Sequence, residues 1–197
     1  MASNTPSRAT IDTFRTLVNR DFARPNLFQV ELQFPSNLDS SGDANSQLKK
    51  DSVVYVKAAN LPASTVGVVE VPFRGRTLKI AGDRTFEPWT VTVMNDKNFT
   101  LRKYFEAWIS TIQYQNENFS GYNTISEYQT NALVRQLGRD GTVARTYEFV
   151  GVFPTNVSAI DLAWESNDSI EEYTVEFQVQ YWKIGDESNV VSLDSAT

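Results

Sequence analysis

Apolar and polar residues alternate along most of this chain, and the period of that alternation changes once in a long unbroken stretch, residues 81–112. Trp89, Val91 and Val93 alternate with Pro88, Thr90 and Thr92, a period of two rich in aromatic and β-branched residues that predicts a half-buried strand. Beyond Met94 the period lengthens. Leu101, Tyr104, Phe105, Trp108, Ile109 and Ile112 fall on one helical stripe, with Arg102, Lys103, Glu106 and Ser110 off it, and Asp96 or Asn98 is placed to supply the N-cap acceptor. Burying each such side chain is worth about 1.5–3 kcal/mol, so the helix is expected to lie on a sheet as a core element.

The rest of the chain reads mainly as β-structure. Ile11, Phe14, Leu17 and Val18 give residues 10–20 the spacing of a short amphipathic helix capped by Thr10. Pro25 ends it, and Phe28, Val30, Leu32 and Phe34 alternate as a first strand. Residues 35–51 are rich in Ser, Asp, Asn and Gly without an apolar period, and are expected to be a loop. Strands are expected at 53–58 and 66–73, the latter turning at Arg74-Gly75 into 77–80. Residues 113–130 read as a polar loop carrying Tyr114, Phe119, Tyr122 and Tyr128. Residues 132–137 and 143–152 flank a Gly-Arg-Asp-Gly hairpin signal, Pro154 is expected to break the second of these strands, and β-structure resumes at 159–164. A last strand, 171–182, alternates Tyr173, Val175, Phe177, Val179 and Tyr181 with polar residues. About eight strands and one long helix predict a mainly β fold, an antiparallel sandwich or barrel capped by the helix. The organisation expected is an arm at 1–20, one β-domain at 21–182 with a polar insertion at 35–51, and a flexible acidic tail at 183–197.

Composition narrows the chemistry. The chain of 197 residues has no cysteine and no histidine, which removes disulfides, thiolate nucleophiles, the commonest metal ligand and the commonest general base. Neither a Ser-His-Asp nor a Cys-His arrangement is possible, no GxxxxGK[ST] or GxGxxG string occurs, and the adjacent pair Glu171 and Glu172 points to opposite faces of a strand. The expectation is no enzyme, no cofactor and no metal. Asp39, Ser41, Asp43 and Asn45 echo a calcium loop, but Ala44 stands where the required glycine would be and Lys50 where the bidentate glutamate would be. The net charge of −6 combines a basic segment at 1–27 with an acidic body and tail, which argues against a protein that grips nucleic acid phosphates. The first residues carry no apolar signal core and no stretch is apolar enough to span a bilayer, so synthesis and residence in a reducing cytoplasm are expected.

The string AGDRTFEPWTVTVMND (81–96) resembles the signature of the tail tube proteins of contractile-tailed, T4-like bacteriophages. DFARPNLFQVEL (21–32), VGVFPTNVSAIDLAW (150–164) and EEYTVEFQVQYW (171–182) agree with it in the same order. The resemblance implies a structural virion protein made in the host bacterium. Six copies would form a ring, and rings would stack into a hollow tube inside a contractile sheath. A baseplate initiator and a tail terminator would bound the tube, and viral DNA would pass through it without specific binding. The resemblance places Asp83 and Arg84 in a signature turn, as ties of that turn or contacts to a neighbour, and Pro154 and Asn156 in a bent strand. Trp89, Phe105 and Trp108 are expected in the core from their periodicity, and Asp96 at the helix start. Glu148 and Glu176, on polar strand faces, are the lumen candidates. Two alternatives stand beside this reading: the inner tube of a contractile injection or secretion system passing protein, and a carbohydrate-binding β-sandwich using the aromatic loop at 113–130.

Overall fold

A computed structural model of the chain describes residues 11, 14–15, 22–38 and 44–185. Among the described residues there are nine strands: β1 (Phe28–Leu32), β2 (Val56–Ala59), β3 (Ser64–Phe73), β4 (Arg76–Phe86), β5 (Trp89–Met94), β6 (Thr130–Leu137), β7 (Val143–Val157), β8 (Glu172–Gln178) and β9 (Tyr181–Ile184). Beyond the arm, the described residues also include three α-helices, α1 (Ala44–Tyr55), α2 (Thr100–Ile112) and the single turn α3 (Ile125–Tyr128), and a short 3-10 helix at Ser36–Leu38. Seven strands form one antiparallel sheet in the order β1-β6-β7-β8-β5-β2, with β9 also paired to β7, while β3 and β4 form a separate ribbon. The mainly antiparallel β fold with the long helix α2 packed on it is the one the alternation predicts, and α1, of twelve residues, is a second helix it does not predict.

The sheet folds over on itself along β7. The first part of this strand pairs with β6 and β9, and its last part with β8. Gly151 stands between them with φ 67°, and a Cβ there would lie 2.5 Å from the Gln180 side chain, so only glycine lets the chain turn so close to that neighbour. This is why the terminal alternation at 171–182, one strand in sequence, is two in the structure: β8 ends at Gln178, and after Gln180 donates its N–H to the Val150 carbonyl the chain resumes as β9. Pro154 does not break β7. It sits at a register shift between Pro154 and Asn156, where an irregular ladder tolerates its missing N–H.

Inside the fold, the hydrophobic core is built where the two periods meet. Trp89, Val91 and Val93 are completely buried, and Phe105, Trp108 and Leu101 of α2 cover them together with Phe34, Tyr173, Val175 and Phe177. Trp89 stacks on Phe149 with centroids 4.6 Å apart and its indole N–H meets the Asn60 carbonyl at 2.8 Å. The Trp108 N–H meets the Tyr128 carbonyl at 2.9 Å, so both large indoles are satisfied where they are buried. At the start of α2, Phe99 takes the N-cap position in left-handed geometry and Asp96 provides the acceptor from further back, receiving the Thr100 N–H at 2.6 Å and the Thr100 hydroxyl at 2.8 Å. Burial pushes the Asp96 carboxyl upward, but the hydrogen bonds from Thr100 and Asn98 outweigh it and hold it below the ordinary aspartate value.

Three further expectations are corrected. Most of the second half of 35–51 is helical rather than loop, and α1 runs on to Tyr55, leaving β2 to begin at Val56. Its polar sequence hides a tertiary role: Leu48 and Ser52 are buried, and the Ser52 hydroxyl accepts the Leu32 N–H at 3.0 Å and lies 2.7 Å from the Lys49 carbonyl. α1 thereby satisfies the open edge of β1. Residues 159–164 carry no strand, because after Ser158 the chain leaves the sheet in an exposed loop. Finally, the polar loop at 113–130 contains α3 and is pinned from within. The expected N-terminal helix is described only at Ile11, Phe14 and Arg15, which are helical and exposed, and the rest of the arm and the tail beyond Gly185 lie outside the described residues.

Candidate assembly surfaces

The β3–β4 hairpin owes its shape to local chemistry. Arg74 and Gly75 both have positive φ, the two-residue turn that matches strand twist, and the opposed Gly67 and Gly82 permit a bulge where the two backbones approach. Cross-strand pairing then sorts the side chains. Val69 faces Ile80, Val71 faces Leu78 and Phe73 faces Arg76 on one side, while Glu70 faces Lys79 and Pro72 faces Thr77 on the other. The ribbon is therefore amphipathic. Its apolar side has no cover, for Val69, Val71, Phe73, Leu78 and Ile80 are each between 41 and 67 % exposed. At its base it touches the body, where Phe86 meets Trp182 edge to face at 6.3 Å. An isolated two-stranded hairpin is marginal in water, so this arrangement calls for a partner.

Asp83 and Arg84 lie within β4 on this hairpin, not in a turn, because the strand continues from Arg76 to Phe86 through the bulge. Both are exposed, and neither forms an ion pair among the described residues. Pro154 is buried and Asn156 exposed on β7, while Trp89, Phe105 and Trp108 are core side chains.

The lumen candidates fall on polar outer faces at different places in the sheet. Glu148 stands opposite Leu133 and Lys183 and pairs with the Lys183 ammonium at 3.2 Å. The same end of the sheet holds a feature that the alternation does not reveal: Glu31 and Arg135, both nearly fully buried, form an ion pair at 2.9 Å. Charged residues at polar strand positions read as solvent-facing in sequence, and only the packing hides this pair. Glu176 instead lies between Thr90 and Asn156, in a row of short polar side chains that continues to Thr92 and Thr174.

The aromatic loop does not offer a sugar platform centred on Tyr122. That ring is buried, stands 5.9 Å from Tyr128, and Tyr128 in turn meets Phe153 edge to face at 5.4 Å. Burial raises the Tyr122 phenol pKa above its ordinary value, as expected of a ring that anchors a loop. Among the described residues no group of three or more potential metal ligands converges, and no helix is long and apolar enough to cross a membrane.

A sequence profile described as "Phage tail tube protein" matches residues 23–185. The chain is 39 % identical over 173 residues to the tail tube protein of Enterobacteria phage T4, covering 87 % of this chain and 98 % of the relative, and 26 % identical over 172 residues to that of Serratia phage KSP90, covering 86 % and 94 %. Its fold is similar to the tube-terminating cap of the anti-feeding prophage, with TM-score 0.60 at 16 % identity over 84 % of this chain and 92 % of that one. It is also similar to a chain of the sheath–tube complex of an extracellular contractile injection system, with TM-score 0.56 at 14 % identity over 87 % and 96 %.

Proposed function

The chain belongs to the phage tail tube protein family, and from that premise we propose that its copies close into hexameric rings which stack as the conduit for viral DNA. It is a structural subunit of the tail tube of a contractile-tailed bacteriophage, a component of the virion and not an enzyme.

The observation that carries the proposal is the uncovered apolar side of the β3–β4 hairpin. Val69, Val71, Phe73, Leu78 and Ile80 are presented on a ribbon too slight to be stable as a free projection, and a neighbouring copy is the occupant that every subunit of a tube has. Removing their remaining exposed surface from water contributes on the order of 5 kcal/mol per hairpin. Asp83 and Arg84, exposed near the hairpin's bulge, are the polar rim of that contact, with Asn156 at a second boundary. The row of Thr90, Thr92, Thr174 and Glu176 suits a wet inner wall: short hydroxyls and a carboxylate repel or hold DNA phosphates only weakly, over about 8–10 Å at physiological salt. Glu148, already neutralised by Lys183, contributes less to that wall.

Sheath, baseplate initiator and terminator are the partners of this tube. The fold's similarity to a sheath–tube complex and to a tube-terminating cap supports that reading. Identity of 39 % to a phage tail tube protein, against 14–16 % to injection-system chains, favours DNA over protein as the cargo. Negative-stain electron microscopy with sedimentation over a range of concentrations tests the proposal. Hollow rings or tubes are expected, and a monodisperse monomer that an added baseplate initiator does not assemble overturns it.

A further inference from the structure

The loop that leaves β7 at Ser158 and returns at β8 combines features that a free surface loop does not need. Residues 158–172 carry Asp161, Glu165, Asp168, Glu171 and Glu172 without one lysine or arginine, only Glu172, the first residue of β8, being paired with a lysine, Lys57, among the described residues, and they display Leu162, Trp164 and Ile170 to solvent, with Trp164 fully exposed. The loop is held at both ends. Ser158 donates its N–H to the Thr174 carbonyl at 2.8 Å and accepts the Thr174 N–H on its hydroxyl at 2.9 Å, while Asn95 donates to the Glu171 carbonyl at 2.9 Å and to its carboxylate at 2.7 Å. A shallow hollow of about 340 Å³ lies between its two limbs, lined by Ile160, Leu162, Ala163 and Ile170 among others. An exposed indole on a pinned loop, beside a hollow lined by both apolar and acidic side chains, has the anatomy of an interface anchor.

The chain itself contains a segment of complementary chemistry. Residues 1–20 hold Arg8, Arg15 and Arg20 against the single Asp12, and Ile11 and Phe14, both helical and exposed, begin an apolar stripe that Leu17 and Val18 continue in sequence. On a helix, Arg15 lies beside Ile11 on the flank of that stripe, which pairs an apolar contact with a cationic one. We propose that the N-terminal arm of one copy docks, as a helix, on the 158–172 loop of a neighbouring copy, with Phe14 and Ile11 against Trp164 and Leu162 and Arg15 over the loop carboxylates. The arm joins the domain at one end of β7 and the loop leaves from the other, and docking between copies is separated from folding back within one chain by the cross-links described below. Leu27 is bonded to Leu137, beside the strand's first residues, whereas the loop begins just after its last.

This docking rests on the assembly reading, and cross-linking separates the two. The cysteine-free chain permits it directly: full-length protein carrying Phe14→Cys is mixed with full-length protein carrying Leu162→Cys under oxidation, beside a control pair carrying Phe14→Cys and Asn118→Cys. A covalent dimer joining the two different chains in the first mixture and not in the control is the expected result. Tubes that form without that dimer leave the loop to a different partner and overturn the docking alone, and a cross-link confined within single chains of a Phe14→Cys/Leu162→Cys variant overturns it as well. A chain that stays monomeric even with a baseplate initiator overturns both readings. Arg15→Glu and Glu165→Lys are each expected to raise the concentration needed for assembly several-fold and to restore part of the loss when combined on the two partners.

Discussion

The hairpin β3–β4 and the strand β5 carry the same signature and meet opposite fates. Val69, Val71 and Phe73 alternate with polar or turn-forming residues much as Trp89, Val91 and Val93 do, yet the first three are 41–67 % exposed and the last three are fully buried. β5 lies between β2 and β8 beneath α2, so its apolar side is closed within the chain. The hairpin pairs only with itself. An alternating strand therefore declares that one side will be covered without declaring whether the cover is the same molecule, and in a subunit of a polymer the two cases have different consequences. Changes to the β5 region act on folding, and changes to the hairpin act on assembly.

The largest effect is expected at the core. Phe105→Ala, which empties the contact among Phe34, Tyr173 and Phe177, should cost about 3–5 kcal/mol of monomer stability in denaturant unfolding. Gly151→Val, which forces a Cβ against Gln180 at positive φ, is expected to cost about 2–3 kcal/mol and to weaken the pairing of β7 with β9, visible as faster amide exchange there. The hairpin inverts the pattern. Val71→Asp with Leu78→Asp should leave the unfolding midpoint of the monomer nearly unchanged and raise the concentration needed for tubes by roughly 30- to 100-fold, corresponding to about 2–3 kcal/mol. A large fall in monomer stability from that double change would erase the distinction. The smallest effect is at the helix start: Asp96→Asn should cost about 0.5–1 kcal/mol at neutral pH. Because the folded carboxyl sits below its ordinary value, its contribution is full above pH about 4 and is lost as the pH falls through the lowered value. The variant should therefore show a flatter acid limb in stability against pH.

Legibility in the sequence followed the range of the interactions. The hairpin turn at Arg74-Gly75, the strand at 89–93 and the stripe of α2 are specified by neighbours a few residues apart, and the structure places each where its pattern predicts. α1 was not legible. Its polar stretch is helical because Leu48 and Ser52 close an edge that belongs to β1, a contact twenty residues away. The same holds for the division of 171–182 into β8 and β9, imposed by a bend at Gly151, and for the burial of Glu31 with Arg135.

By itself, then, the sequence determined the mainly β class, the central helix, the missing catalytic side chains and, through its signature string, the family. Each depends on residue identity and local period. Only the tertiary structure decided which apolar faces are spent inside the subunit and which remain on the hairpin and the 158–172 loop, because burial depends on what the folded chain brings opposite a face, and a linear pattern contains no such opposite.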